Sequence, residues 1–426
     1  MRTNSGLLSL LTLASGASAA LKYLGVAIPG IDFGCDIDGS CPLKGIAIPL
    51  DGYGGGDGEG QMKHFTQNDG MNIFRLPATW QFLVNNKLGK LDKTNFEAYD
   101  ALVQACLNTG AYCMLDVHNF GRYNGGIVGQ GGPSNDVFAD LWTQIATTYA
   151  KEDRIVFGLM NEPHDLDINL WAQTCQAAVT AIRKAGAKTQ AILLPGTNFA
   201  SAETYVASGS AAALANVTNP DGSTDNLLLD IHKYLDINNS GTHVECTTNN
   251  VEAFKSIATW LKANKRQAMV SETGASMEDS CMINFCAQNK FIADNSDVFV
   301  GFVGWGAGSF DQTYILTLTP TGKPGAYVDN KLMKQCILDQ FKVDLTPTPV
   351  TTSKPSHTAT ADADTTTKQV LKEGSTSTIV SHPTKPVAAS SAPSSADHNA
   401  GGRIEPIAGG FIMAGLGFLL TVLRVL

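Results

Sequence analysis

The sequence predicts an α/β protein built as one (β/α)8 TIM barrel, a single domain over residues 21–343 flanked by tails. Three observations predict it. Short apolar runs alternate with stretches of helical periodicity through this whole region. Eight such units in roughly 320 residues match the size of a (β/α)8 barrel. Polar or aromatic residues recur just where six of the eight runs end, and in a barrel those tips converge on one face.

The strand-like runs, in order, are Tyr23–Ile28, Asn72–Leu76, Tyr112–Val117, Val156–Met160, Ala191–Leu194, Leu227–Ile231, Gln267–Ser271 and Val298–Gly304. Helical periodicity fills the gaps, as in Phe96-Tyr99-Leu102-Val103-Cys106 and Phe138-Leu141-Trp142-Ile145-Tyr149. The second run ends Phe74-Arg75-Leu76-Pro77 and the third Leu115-Asp116-Val117-His118-Asn119. The fourth delivers Asn161-Glu162-Pro163, the sixth Asp230-Ile231-His232-Lys233-Tyr234, the seventh Glu272-Thr273-Gly274 and the eighth Trp305. A doubly wound open sheet competes with the barrel, but it needs a phosphate-binding glycine turn after an early strand. The glycine-rich stretch 52–60 follows no clear strand and lacks the Gly-Lys-Ser/Thr ending of a P-loop, so it reads as a loop beside the barrel mouth. Asp36-Ile37-Asp38-Gly39 starts like a calcium loop but has no Glu at the twelfth position.

The tails differ from the barrel in composition. Residues 1–20 have the form of a secretory signal peptide, with Arg2, an apolar Leu7–Leu13 and the small-residue site Ala17-Ser18-Ala19. Residues 344–400 are dominated by Thr, Ser, Pro and Ala, which cannot bury a core, and read as an extended O-glycosylated stalk. Residues 401–426, a polar spacer and an apolar tail behind small residues, read as a GPI-attachment signal, with Asn399 as the anchored residue and Ala400 and Gly401 next. A retained transmembrane helix is the alternative; the tail is about long enough to span, but it has no cytoplasmic segment after it. The expected location is outside the cell, on its surface or wall, through that anchor alone.

Composition narrows the partners. The net charge is −9, and no stripe of Lys and Arg is visible, which argues against nucleic acid. A secreted chain predicts disulfides. Eight of the nine cysteines can pair, with on the order of a hundred connectivities. Cys35 and Cys41 bracket one short loop and Cys106 and Cys113 another, while Cys246, Cys281, Cys286 and Cys336 lie later, on or near loops. Cys175 shares a helix face with Trp171, Val179 and Ile182 and reads as a buried free thiol. No pair has C-x-x-C zinc spacing, and neither metal nor cofactor is expected. Asn216 and Asn238 head N-glycosylation sequons.

Two glutamates far apart in sequence, both delivered to strand ends, suggest the carboxylate pair that breaks an acetal. Glu162 is the candidate acid, its pKa raised by burial and by the second carboxylate. Glu272 is the candidate nucleophile, kept ionised by Arg75 and hydrogen-bonded by Tyr234. Asn161 is placed to hold a sugar 2-hydroxyl. Trp80 and Trp305 offer flat faces for pyranose stacking, whereas Trp142, Trp171 and Trp260 read as core. Asp116 and Asp230 each precede a histidine by two and read as buried structural partners.

Together these residues resemble glycoside hydrolase family 5, most closely its fungal secreted endo-β-1,4-glucanases, over the whole barrel. Leu159-Met160-Asn161-Glu162-Pro163-His164 matches the segment carrying the family's acid/base, and Glu272 matches its nucleophile. Arg75, His118, Asn161, His232, Tyr234 and Trp305 match the remaining active-site positions. The resemblance implies a retaining mechanism through a covalent glycosyl-enzyme, without a metal, acting on β-glucan as a monomer. It also implies the pairs Cys35–Cys41, Cys106–Cys113, Cys246–Cys281 and Cys286–Cys336. Unlike many such enzymes the chain carries a stalk and anchor signal in place of a small Cys-rich cellulose-binding module, which turns the expectation toward soluble β-glucan or wall polymer. The alternatives are a wall-remodelling transglycosylase, a mannan or β-1,3-glucan hydrolase and, from another class, a non-catalytic surface lectin.

Overall fold

The computed structural model describes residues 21–341. The expected leader, stalk, anchor residue Asn399 and apolar tail lie outside the described residues. Eight parallel strands close into a barrel in which each strand pairs with its neighbours in the chain and the first pairs with the last. They are β1 Tyr23–Ala27, β2 Ile73–Ala78, β3 Tyr112–Val117, β4 Ile155–Gly158, β5 Ala191–Pro195, β6 Leu227–His232, β7 Ala268–Thr273 and β8 Phe299–Gly304. A two-stranded hairpin, Arg122–Tyr123 with Gly126–Ile127, follows β3 and was not expected.

Alternation along each strand sends side chains to two different cores. Tyr23, Ile73, Met114, Val156, Leu193, Leu228 and Met269 pack inside the barrel. Phe74, Leu76, Leu115, Phe157, Leu194 and Val270 face outward into the layer between sheet and helices. The helices that cover this layer are α1 Gly58–Gln67, α2 Lys93–Asn108, α3 Asn135–Tyr149, α4 Ile168–Lys184, α5 Ser210–Ala215, α6 Val251–Asn264 and α7 Asp279–Asp294. Their apolar faces follow the predicted spacing: α3 buries Phe138, Leu141, Trp142, Ile145 and Tyr149. Side-chain caps fix several starts. Asp92, Ser134 and Asp167 accept from backbone N–H groups of the first turns of α2, α3 and α4, each worth about 1 kcal/mol.

Disulfides join Cys35–Cys41, Cys106–Cys113, Cys246–Cys281 and Cys286–Cys336, and Cys175 is a buried free thiol. Cys281 sits in the first turn of α7, next to the loop before it, Cys286 further along α7, and Cys336 on the helical turn Met333–Leu338. Among the described residues no helix is long and apolar enough to cross a membrane.

Candidate active site at the C-terminal rim of the barrel

The inward positions near the strand tips change from apolar to charged. In β2 the residue after Ile73 on the inner face is Arg75, and in β3 the one after Met114 is Asp116. In β6 Leu228, Asp230 and His232 alternate inward. Strand β7 departs from regular alternation. Ile231 pairs with Val270 but His232 with Glu272, and on the other side Phe302 pairs with Val270 but Gly304 with Thr273. This bulge carries one extra residue, so Ser271 and Glu272, adjacent in the chain, both serve the site. Glu272 therefore stands inside the strand, not just past it.

Glu272 is held from two sides. Arg75 donates from Nη1 to Oε2, and Tyr234 donates its hydroxyl to Oε1 at 2.8 Å. Arg75 also bonds Asn161 Oδ1 at 2.5 Å and Asp116 Oδ2 at 2.8 Å. His118 Nδ1 lies 2.9 Å from the same Asp116 oxygen. Glu162 sits beyond β4, with Oε1 2.9 Å from His232 Nδ1. His232 Nε2 is 2.9 Å from the Ser271 hydroxyl, which donates onward to Asp230. Carboxylate oxygens of Glu162 and Glu272 and a ring nitrogen of His232 lie within 4.8 Å of one another.

The electrostatics separate the two glutamates. Burial raises Glu162, the charge of Glu272 raises it further, and His232 only partly opposes this. Burial acts the same way on Glu272, but the positive charges of Arg75, His232 and His118 outweigh it and hold the carboxyl down at about 2. Arg75 stays charged despite burial because Asp116 and Glu272 flank it. Burial and the Glu272 charge keep the Tyr234 phenol protonated. One buried carboxyl thus favours its acid form beside one fixed as an anion. Glu162 takes φ of 41°, a left-handed conformation costly for a residue with a Cβ.

Glu162, His232 and Glu272 also have the composition of a metal site, but each atom in it already has a hydrogen-bond or ionic partner, and Arg75 supplies the cationic charge at Glu272.

The aromatic expectations divide. Trp305 follows β8 at the rim, stacked on His118 with centroids 5.6 Å apart, and donates from Nε1 to the Tyr314 hydroxyl at 3.0 Å. Trp80 is a correction. Thr79 caps a one-turn helix at Trp80–Leu83, and the indole packs edge-on against Tyr123 and near Phe138, 1 % exposed. No sugar ring can stack on it. Trp142 and Trp171 are fully buried, as expected of core. Asn216 and Asn238 are exposed.

Sequence reasoning missed Ser271, hidden by the assumption of regular alternation, and the stacked pair Phe310 and Tyr314, 3.8 Å apart beside Trp305, which come from a loop with no periodic signal. A cleft of about 690 Å3 bounded by Tyr23, Leu227 and Val298 lies at the opposite, N-terminal ends of the strands and holds none of these residues.

The family described as "Cellulase (glycosyl hydrolase family 5)" matches residues 36–308. Endoglucanase EG-II of Hypocrea jecorina is 55% identical over 326 residues, covering 75% of this chain and 78% of that protein. Endoglucanase 1 of Saitozyma flava is 49% identical over 311 residues, 72% of this chain and 86% of that one. The crystal structure of Cel5A (EG2) from Hypocrea jecorina superposes with a TM-score of 0.74 at 54% identity, covering 75% of this chain and 99% of that one.

Proposed function

The chain belongs to glycosyl hydrolase family 5, and on that premise we propose that it is a retaining endo-β-1,4-glucanase whose chemistry is carried by Glu162 and Glu272. One observation supports the retaining mechanism most directly: the two carboxylates approach within 4.8 Å. That suits the spacing of about 5 Å at which one carboxylate reaches the anomeric carbon itself, and is too short for the 6.5–9.5 Å that leaves room for an intervening water.

Glu272, ionised and oriented by Arg75 and Tyr234, attacks the anomeric carbon as Glu162 passes its proton to the leaving glycosidic oxygen. The glycosyl ester on Glu272 is then cleaved by a water that Glu162, now a carboxylate, deprotonates. Asn161 has its Oδ1 engaged by Arg75 while its Nδ2 is buried with no hydrogen-bond partner, a free donor beside the nucleophile for the sugar 2-hydroxyl. Trp305 supplies an apolar face at the rim. His118 and His232 complete the polar wall, with Asp116 and Asp230 holding them. The substrate is a β-glucan, on the strength of the endoglucanase relatives. No step calls for a metal.

The leader, stalk and anchor signal support a protein exported and tethered at the cell surface through Asn399, with N-glycans on Asn216 and Asn238, and working as a monomer. Mass spectrometry of the mature protein tests each attachment.

Glu272→Gln tests the catalytic reading. Hydrolysis of carboxymethyl cellulose falls by about a thousandfold or more while circular dichroism stays that of the folded protein. Activity within about tenfold of the wild type overturns it. A ladder of intermediate oligosaccharides marks internal cleavage, and products longer than a labelled substrate would mark transfer instead.

A further inference from the structure

Outside the catalytic rim, a second cluster brings together one imidazole and two carboxylates from three separate parts of the chain. His64 is in the last turn of α1, Asp69 lies between α1 and β2, and Asp329 lies in the segment after β8. Their ligand atoms all fall within 4.8 Å of one another. His64 Nε2 is 2.9 Å from Asp329 Oδ1 and 3.6 Å from Asp69 Oδ2. We propose that His64, Asp69 and Asp329 form a binding site for a divalent transition-metal ion, of the Mn2+ or Zn2+ kind, which clips the segment after β8 onto α1.

Two features point to a ligand there. The first is the state of Asp69. Its side chain is 7% exposed, and Oδ2, the oxygen turned toward His64, is buried with no hydrogen-bond partner. A buried carboxylate oxygen left unpartnered costs about 1–3 kcal/mol or more, a cost that a coordinated cation removes. The second is spacing. Bonds of about 2.0–2.2 Å from a metal to nitrogen or oxygen place neighbouring ligand atoms about 3.0 Å apart around an octahedron and about 3.4 Å around a tetrahedron. The 3.6 Å between His64 and Asp69, too long for a hydrogen bond, is close to the tetrahedral value, whereas the 2.9 Å contact to Asp329 is a direct hydrogen bond that a bound ion would replace.

The donor set selects the ion. Calcium and magnesium take oxygen ligands alone, whereas imidazole with carboxylates suits first-row transition metals. An entry path exists: His64 borders a cleft of about 430 Å3 whose walls also carry Asp51 and Asp57, together with Glu59 ion-paired to Lys63. Asp51 and Asp57 leave this wall with a net negative charge, and the cleft has room for water to complete the coordination shell. The cluster is remote from the catalytic chemistry, being tied to the end of α1 and the start of β2, whereas catalysis sits at the C-terminal strand tips. The ion's role is therefore stability, which ligand binding to the folded state alone supplies.

The test uses the full chain, stripped with a chelator and titrated with Mn2+ while the free-ion electron paramagnetic resonance signal is followed. One ion per chain should leave the free signal, and the melting temperature should rise by a few degrees. Asp69→Asn and His64→Gln should weaken binding by about tenfold or more and abolish the thermal shift, with cellulose hydrolysis unchanged. Should either variant fail to fold, Asp329→Asn and the wild-type titration still decide the matter. Absence of saturable binding of Mn2+ or Zn2+ up to millimolar concentration overturns the proposal. So does binding that survives these substitutions but is lost in Glu162→Gln, which would put the ion at the catalytic pair.

Discussion

Nδ1 of His232 lies 2.9 Å from Oε1 of Glu162. The other ring nitrogen faces Ser271, whose hydroxyl donates to Asp230 and so accepts the Nε2 proton. With Nε2–H fixed, Nδ1 of a neutral ring can only accept, and the proton between His232 and Glu162 belongs to either partner. In the proposed mechanism Glu162 gives up a proton and later takes one back, and His232 is placed to share it.

Replacing His232 with Gln removes the main group that lowers Glu162, leaving only the weaker effect of His118. The carboxyl then rises further. Catalysis needs it protonated and is lost as pH climbs through its pKa, so the alkaline limb of kcat/KM moves to higher pH. The rate at neutral pH falls by about 10–100-fold from lost orientation. A pH–rate profile checks this, and a limb that stays put or moves down contradicts the coupling.

Arg75→Met acts on the opposite limb. Glu272 must be ionised and is held at about 2 chiefly by Arg75. Without the guanidinium its pKa rises, so activity is lost at a higher pH on the way down and the acid limb moves up. Asp116 and Glu272 are also left buried without their cation, a destabilisation of about 3–5 kcal/mol read by denaturant unfolding. Arg75→Lys restores the charge but not the fork that reaches Glu272, Asn161 and Asp116 together, so it recovers only part of the rate.

Asn161→Ala deletes the unpartnered Nδ2 donor. A contact made mainly in the transition state lowers kcat and kcat/KM together, here by about a hundredfold. Steady-state kinetics on a cello-oligosaccharide separates this from a rise in KM alone, which would mean the group only binds the ground state.

The disulfides should differ in worth by the loops they close. Cys246–Cys281 and Cys286–Cys336 span 35 and 50 residues, against 6 and 7 for the other two. Chain entropy assigns about 4 kcal/mol to each long bridge and about 2 to each short one. Paired Cys→Ala variants melted side by side should fall into those two groups.

Much of this was legible because burial imposes periodicity. Run three was expected at Tyr112–Val117 and is found there, since strand alternation and a glycine turn before it leave little freedom. The glutamates, Arg75 and the two histidines were visible because charge at the end of an apolar run is conspicuous. Trp80 was misjudged because an indole one residue past a helix cap can turn either way, and only the packing of Tyr123 and Phe138 decides. Ser271 was invisible because a bulge changes which residues face inward without changing composition. Phe310 and Tyr314 sit on a loop, where spacing carries no information about direction.

The left-handed backbone at Glu162 has a consequence for anyone trying to make this protein sturdier. At φ of 41° glycine, or asparagine at lower cost than glutamate, fits the main chain better than glutamate does. A redesign scored on folding alone would favour such a swap, and it would yield a more robust barrel with no acid to protonate a leaving group.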